Sequence, residues 1–310
     1  MAFKNAFKIL IEKFGLVWML LLYVFVLAVI LVSVSMAFMI PIYRAFLNAG
    51  IMEQFTILFE SVTNGESLNR WFEIIRGIGD SVSQLLKENF SLRLNSTLWL
   101  TLVVVVAYRF LLGLYELPLI SVLDGAMSSN ARIGFGGQFI AKLGKSSCFT
   151  LVKMMYTVLF DAATMGIMYG LFKLLDVAAV SMFAPFIIML AFILLTALRY
   201  TLIAMWSPRI VTDNGKIFAS FGFSVKQAGK NFGSMYAYFL VAWVLIIAFN
   251  IFVGLFTIGV GLLISIPMSM LLISVLNMTL YYGKNGKRYY VDGAVVTPPT
   301  SCDVESEENK

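Results

Sequence analysis

Ala107-Tyr-Arg109-Phe110-Leu-Leu112 leads, after five residues, to Pro118-Leu-Ile120 and then to Asp124-Gly125. Ala197-Leu-Arg199-Tyr200-Thr-Leu202 leads, after the same gap, to Pro208-Arg-Ile210 and then to Asp213 and Gly215. Each stretch sets an arginine deep in an apolar segment and a proline where that segment ends. Arginine at that depth is costly in lipid and needs a partner or a purpose. Proline lacks a backbone donor and disfavours helix at the residue before it, so each segment ends or kinks there. Asp124-Gly125 and Asp213-Asn-Gly215 then supply turns. Further on, each connector carries Gly-Lys, at Gly144-Lys145 and Gly229-Lys230, just before a returning apolar segment. The pattern reads as a duplicated hairpin whose two copies point the same way, a parallel rather than an inverted repeat.

Working outward, the rest of the chain is as apolar as these segments. Of 310 residues 60% are hydrophobic and only 13% charged, with a mean hydropathy of +0.89. Soluble domains carry about 25% charged residues, so this composition belongs in lipid. Apolar runs long enough to cross a bilayer fall at about 16–42, 98–117, 149–175, 180–206, 236–256 and 258–282. The first follows a short amphipathic segment with Lys4, Lys8 and Lys13 and is too long for a signal-peptide core, so it reads as an uncleaved anchor. The expected fold is therefore all-α, a polytopic integral membrane protein of six transmembrane helices, with residues 1–291 as the membrane domain.

Residues 43–97 break the pattern. Phe55, Leu58, Phe59 and Val62, then Trp71, Ile74, Ile75, Ile78, Val82, Leu85 and Leu86, recur at helical spacing with charges between them. Two amphipathic helices broken near Thr63-Asn64-Gly65 are expected, lying at the interface or over the mouth of the bundle. Short helices are also expected in the connectors, over 126–143 and 216–232. Asn285-Gly286 marks a turn. From Asp292 onward the tail is polar, proline-containing and acidic, and 292–310 reads as disordered.

Charge orients the spans. Lys4, Lys8 and Lys13, then Arg132, Lys142 and Lys145, then Arg209, Lys216, Lys226 and Lys230, then Lys284, Lys287 and Arg288 all fall on one side of a six-span chain. By the positive-inside rule that side, with both termini, is cytoplasmic, and 43–97 is extracytoplasmic. The net charge of +6 is thus a topology signal, and no basic, aromatic-interleaved patch suggests nucleic acid.

Several chemistries have no residues to carry them. Histidine is absent, which removes the usual general base, metal ligand and pH switch. Cys148 and Cys302 are isolated and make neither a disulfide framework nor a zinc site. Gly134-Phe-Gly136-Gly137 follows no strand, so it has no nucleotide-binding context. No catalytic residue, metal or cofactor is expected. What remains is a candidate intramembrane polar site of Arg109, Arg199, Asp161 midway along span three, and Asn250 in span five. The arginines could pair with Asp161, or less readily Glu116, to lock the bundle. They could form an anion or lipid-headgroup site, or snorkel toward the headgroups.

Trp206-Ser-Pro208-Arg-Ile210-Val211-Thr-Asp213-Asn-Gly215, followed by Ser220, Ser224 and Lys230-Asn-Phe232, resembles a pattern in a broad bacterial family. That family includes the membrane domain attached to some glycerophosphodiester phosphodiesterases and other six-span proteins. Ser220 stands where the family usually has alanine, and the first connector matches only through Pro118 and Asp124-Gly125. The resemblance implies a helical membrane domain without catalysis, in a bacterial plasma membrane. Two functions stay open: an accessory or scaffold component binding a membrane partner or a second copy, or a transporter or lipid- and anion-handling protein using the space between the repeats.

Overall fold

The structure, a computed structural model, describes residues 2–129, 131, 133–177, 184–291 and 293–297. Arg132, the start of the expected fourth span at 180–183, Asp292 and residues 298–310 with Cys302 lie outside the described residues. The chain is an all-α polytopic membrane protein, with six helices long and apolar enough to span a bilayer.

The chain opens with α1 (Ala2–Glu12), which buries Ala6, Ile9 and Leu10 and leaves Lys4 and Lys8 exposed. Next, α2 (Gly15–Asn48) holds the first apolar stretch, Gly15–Met36. It does not stop at Ile42: at 1.5 Å per residue its 34 residues reach about 51 Å, well beyond a hydrocarbon core of roughly 30 Å. The amphipathic segment then divides into α3 (Ile51–Thr63) and α4 (Leu68–Glu88). Between them Gly65 takes a left-handed φ of 68°, a conformation open to glycine at little cost. The second span runs through α5 (Phe90–Trp99), a π-helical turn over Leu100–Tyr108, and α6 (Arg109–Gly113).

Beyond it come α7 (Glu116–Ser129), α8 (Phe135–Val177), α9 (Ala184–Ile203), α10 (Trp206–Thr212), α11 (Ile217–Lys230), α12 (Phe232–Phe256) and α13 (Leu262–Lys284). The two connectors differ in build. The second has the expected short helix, α11, set off from α12 by Asn231, whose φ of −119° leaves the helical region. Among the described residues the first has no separate helix over 126–143: α7 runs to Ser129, and the returning helix α8 starts at Phe135 and is continuous for 43 residues. The turn expected near Thr257 spans Thr257 to Gly261, with Ile258 and Gly259 at positive φ, so the last span begins at Leu262.

At the tail the irregular segment starts later than its composition suggests. Ala294–Val296 (β2) pairs antiparallel with Tyr289–Val291 (β1). The turn at Gly293 has φ +74°, and the β-branched valines suit a strand.

Contacts divide the chain into two compact units, residues 26–111 and residues 1–25 with 112–310. In the second of these, α7 lies at the centre. Leu117, Leu119, Ile120 and Leu123, which point to different sides of the helix, are all fully buried. It packs on α8, α10 and α13.

Candidate functional site

Pro118 and Pro208 each sit at the third position of a short helix, α7 or α10, where a missing donor costs nothing. The preceding span breaks just upstream. Pro118 cannot supply an N–H to the carbonyl of Leu114, four residues back. Ser146 on α8 donates its hydroxyl to that carbonyl instead, at 2.7 Å. At the second break Ser224 on α11 accepts the Met205 N–H at 3.1 Å and donates to the Leu202 carbonyl at 2.8 Å. A serine from a later helix thus satisfies the opened backbone in both connectors, from the returning helix α8 in the first and from the connector helix α11 in the second, as a buried break requires. Trp206 closes the second break: its indole N–H donates to the Ile217 carbonyl at 2.9 Å, and its ring packs on Phe149 and Phe221.

The connector motif converges on two consecutive tyrosines. Asp124 accepts hydrogen bonds from Thr212 and from the Tyr282 hydroxyl, both at 2.7 Å. Asp213 accepts from the Tyr281 hydroxyl and from Lys287 at 2.5 Å. The two connector aspartates are therefore tied to neighbouring residues at the end of α13. Both glycines of the motif are close-approach positions. A Cβ at Gly125 would strike Ile133, and one at Gly215 would meet the Ser220 hydroxyl and the Arg209 carbonyl.

Burial alone would raise the Asp213 carboxyl. The hydrogen bonds from Lys287 and Tyr281, with the charges of Lys287 and Arg209, outweigh it and hold the group below its ordinary value. Because the folded value is the lower one, the stabilisation is present above the ordinary carboxylate range and is lost as pH falls through the folded value. Asp213→Asn is expected to lower the thermal midpoint in detergent by about 2 °C at pH 7. The gap should narrow progressively as the pH is taken down below the ordinary carboxylate range; a gap of equal size throughout would contradict this.

Of the four candidate intramembrane residues, Asp161, Arg199 and Asn250 belong to the unit of residues 1–25 with 112–310. Arg199 and Asp161 meet, with Nη1 2.5 Å from Oδ1, and the guanidinium also lies over the Tyr200 ring at 5.1 Å. Together they line a groove of about 430 Å³ between α8 and α9. Arg109 belongs to the 26–111 unit. Asn250 tethers α12 to α13: its Nδ2 donates to Ser269 at 3.1 Å and its Oδ1 accepts from Ser265 at 2.7 Å.

Asn250 also borders a polar cleft of about 260 Å³. One wall comes from the first hairpin, with Tyr115, Glu116 and Lys153. A second comes from the other hairpin, with Tyr200, Trp243, Ile246 and Asn250. The third is one face of α13, where Ile266, Ser269, Met270, Ile273, Ser274 and Asn277 follow helical spacing. Glu116, only 8% exposed, is paired with Lys153. Two polar atoms on this lining, Asn277 Oδ1 and Trp243 Nε1, are buried without a partner among the described residues. Buried polar atoms are rarely left so, and each lone one calls for an explanation.

Sequence reasoning passed over Lys153 and weighed Glu116 only as a remote partner for arginine. It also missed the polar face of α13. The signal was present: Ser265, Ser269, Ser274 and Asn277 fall on neighbouring turns within a run otherwise apolar. No protein-family model, curated protein or solved structure matches the chain.

Proposed function

We propose that this is a non-catalytic, multi-pass protein of a bacterial plasma membrane, its termini cytoplasmic, that holds a small polar molecule or lipid headgroup between two duplicated hairpins. One observation carries the reading: the cleft bounded by both hairpins and α13 pairs an enclosed carboxylate with a lysine, and two residues of its lining, Asn277 and Trp243, each bury a polar atom that has no partner among the described residues. Polar groups at membrane depth are expensive, and they persist mainly where they serve a pathway or a site. Duplication is supported by the shared plan of the connectors: a break before proline, a serine from a later helix on the opened backbone, and an aspartate bonded to a tyrosine of α13. The resemblance of 206–232 to bacterial membrane domains agrees with it.

Native mass spectrometry of the full chain released gently from membranes tests this. A small molecule or phospholipid should stay bound to wild type and be lost when Ser269→Phe fills the cleft, with helicity by circular dichroism unchanged. Ligand-free wild type, or equal retention by the folded variant, overturns the proposal.

A second reading, an accessory component that binds a partner, rests on the groove over Asp161 and Arg199. Both side chains keep about a fifth of their surface open, 24% and 21%, and polar groups on a span can join helices in lipid. Recovery of a stoichiometric membrane partner, dependent on Arg199, favours this reading over the first.

A further inference from the structure

Resting on the reading of the cleft as a ligand site, we propose that its occupant is a zwitterion in which a primary ammonium and an oxyanion lie a few bonds apart. The argument begins with net charge. Glu116 and Lys153 are the charged residues among those lining the cleft, and they neutralise one another. Neither repeat arginine lines it, which removes the excess positive charge that a net anion would need. A net cation would lack a free carboxylate in the same way. Carrying a net charge to this depth also costs several kcal/mol or more, whereas a zwitterion brings none.

An ion pair on a wall is a dipole, and the complementary guest is a dipole laid antiparallel. With its ammonium against Glu116 and its oxyanion against Lys153, such a guest turns one ion pair into a ring of four alternating charges. The lining also carries neutral groups of both hydrogen-bonding types. Asn277 Oδ1 is an acceptor and needs an N–H. Trp243 Nε1 is a donor and needs an oxygen. A volume of about 260 Å³ is smaller than a drug-sized pocket, so the guest is a headgroup or a compact free molecule. Phosphatidylethanolamine and a free amino acid share this chemistry, and the test separates them.

Full-length protein in dodecyl maltoside is titrated with phosphatidylethanolamine, phosphatidylcholine, phosphatidylglycerol or glycine, and binding is read by native mass spectrometry and by thermal midpoint. Binding of phosphatidylethanolamine or glycine at least tenfold tighter than of phosphatidylglycerol or phosphatidylcholine is expected. So is its loss, by a similar factor, in Asn277→Leu and in Trp243→Phe, with circular dichroism showing both folded. Preference for the lipid identifies a headgroup site and preference for glycine a solute site; either supports the proposal. If phosphatidylglycerol binds as well as phosphatidylethanolamine, and both variants lose it, the zwitterion assignment falls while the cleft remains a ligand site. If none of the probes binds, or binding ignores both variants, the inference and the cleft reading fall together.

Discussion

Replacing Lys153 with methionine is expected to destabilise the protein by about 3–5 kcal/mol, the usual result of removing one partner from a buried ion pair. The reason lies with Glu116. Its side chain is enclosed at the start of α7, beneath the break that Pro118 imposes, and Lys153 on α8 is its salt-bridge partner. Methionine preserves the length and apolar stem of lysine, including the packing beside Phe149, where the lysine nitrogen lies 5.7 Å from the ring centroid. What is lost is the charge, and a carboxylate is left inside a low-dielectric wall. Glu116→Gln on the same background should recover most of the loss, because two neutral side chains carry no uncompensated charge. Unfolding in detergent of wild type, both single variants and the double variant measures the coupling. Additive single effects would mean that the two side chains do not depend on each other.

The legibility of this chain follows from which interactions are local. Six apolar runs were legible because crossing a bilayer needs about 20 consecutive apolar residues, a signal no tertiary contact is needed to read. The break between α3 and α4 was legible for a like reason, since Asn64-Gly65 supplies its own turn. Asp213 was legible as a turn residue, whereas Asp124, expected in a turn with Gly125, lies within α7, whose buried apolar side chains carry the helix through; neither was legible as an acceptor for Tyr281 or Tyr282. Those partners lie 68 and 158 residues away.

Lys153 escaped because α8 runs on from Phe135 without a joint. A lysine there resembles the flank of a span that begins at Phe149, whereas the helix places it well inside. The pairing of Arg199 with Asp161 was among the readings the sequence allowed, because a charge deep in an apolar run needs a partner and Asp161 is a carboxylate midway along the neighbouring span.

Arg199→Met should lower stability by about 2–3 kcal/mol, less than the buried-pair range because both charges keep a fifth of their surface open. Lysine at 199 should rescue only part of this. Arginine presents a planar fork to the carboxylate and stacks its guanidinium on an aromatic face, and a lysine ammonium does neither as well. The stacked ring is Tyr200, which also forms part of the cleft wall, so the pair is expected to hold that wall in position. Arg199→Met should therefore weaken retention of the cleft ligand as well as stability, although Arg199 is not among the residues lining the cleft. Asp161→Asn, which leaves arginine over the ring, should lower stability and spare retention. Unchanged stability in Arg199→Met would remove the architectural role and leave the groove over Asp161 as a surface kept for another protein.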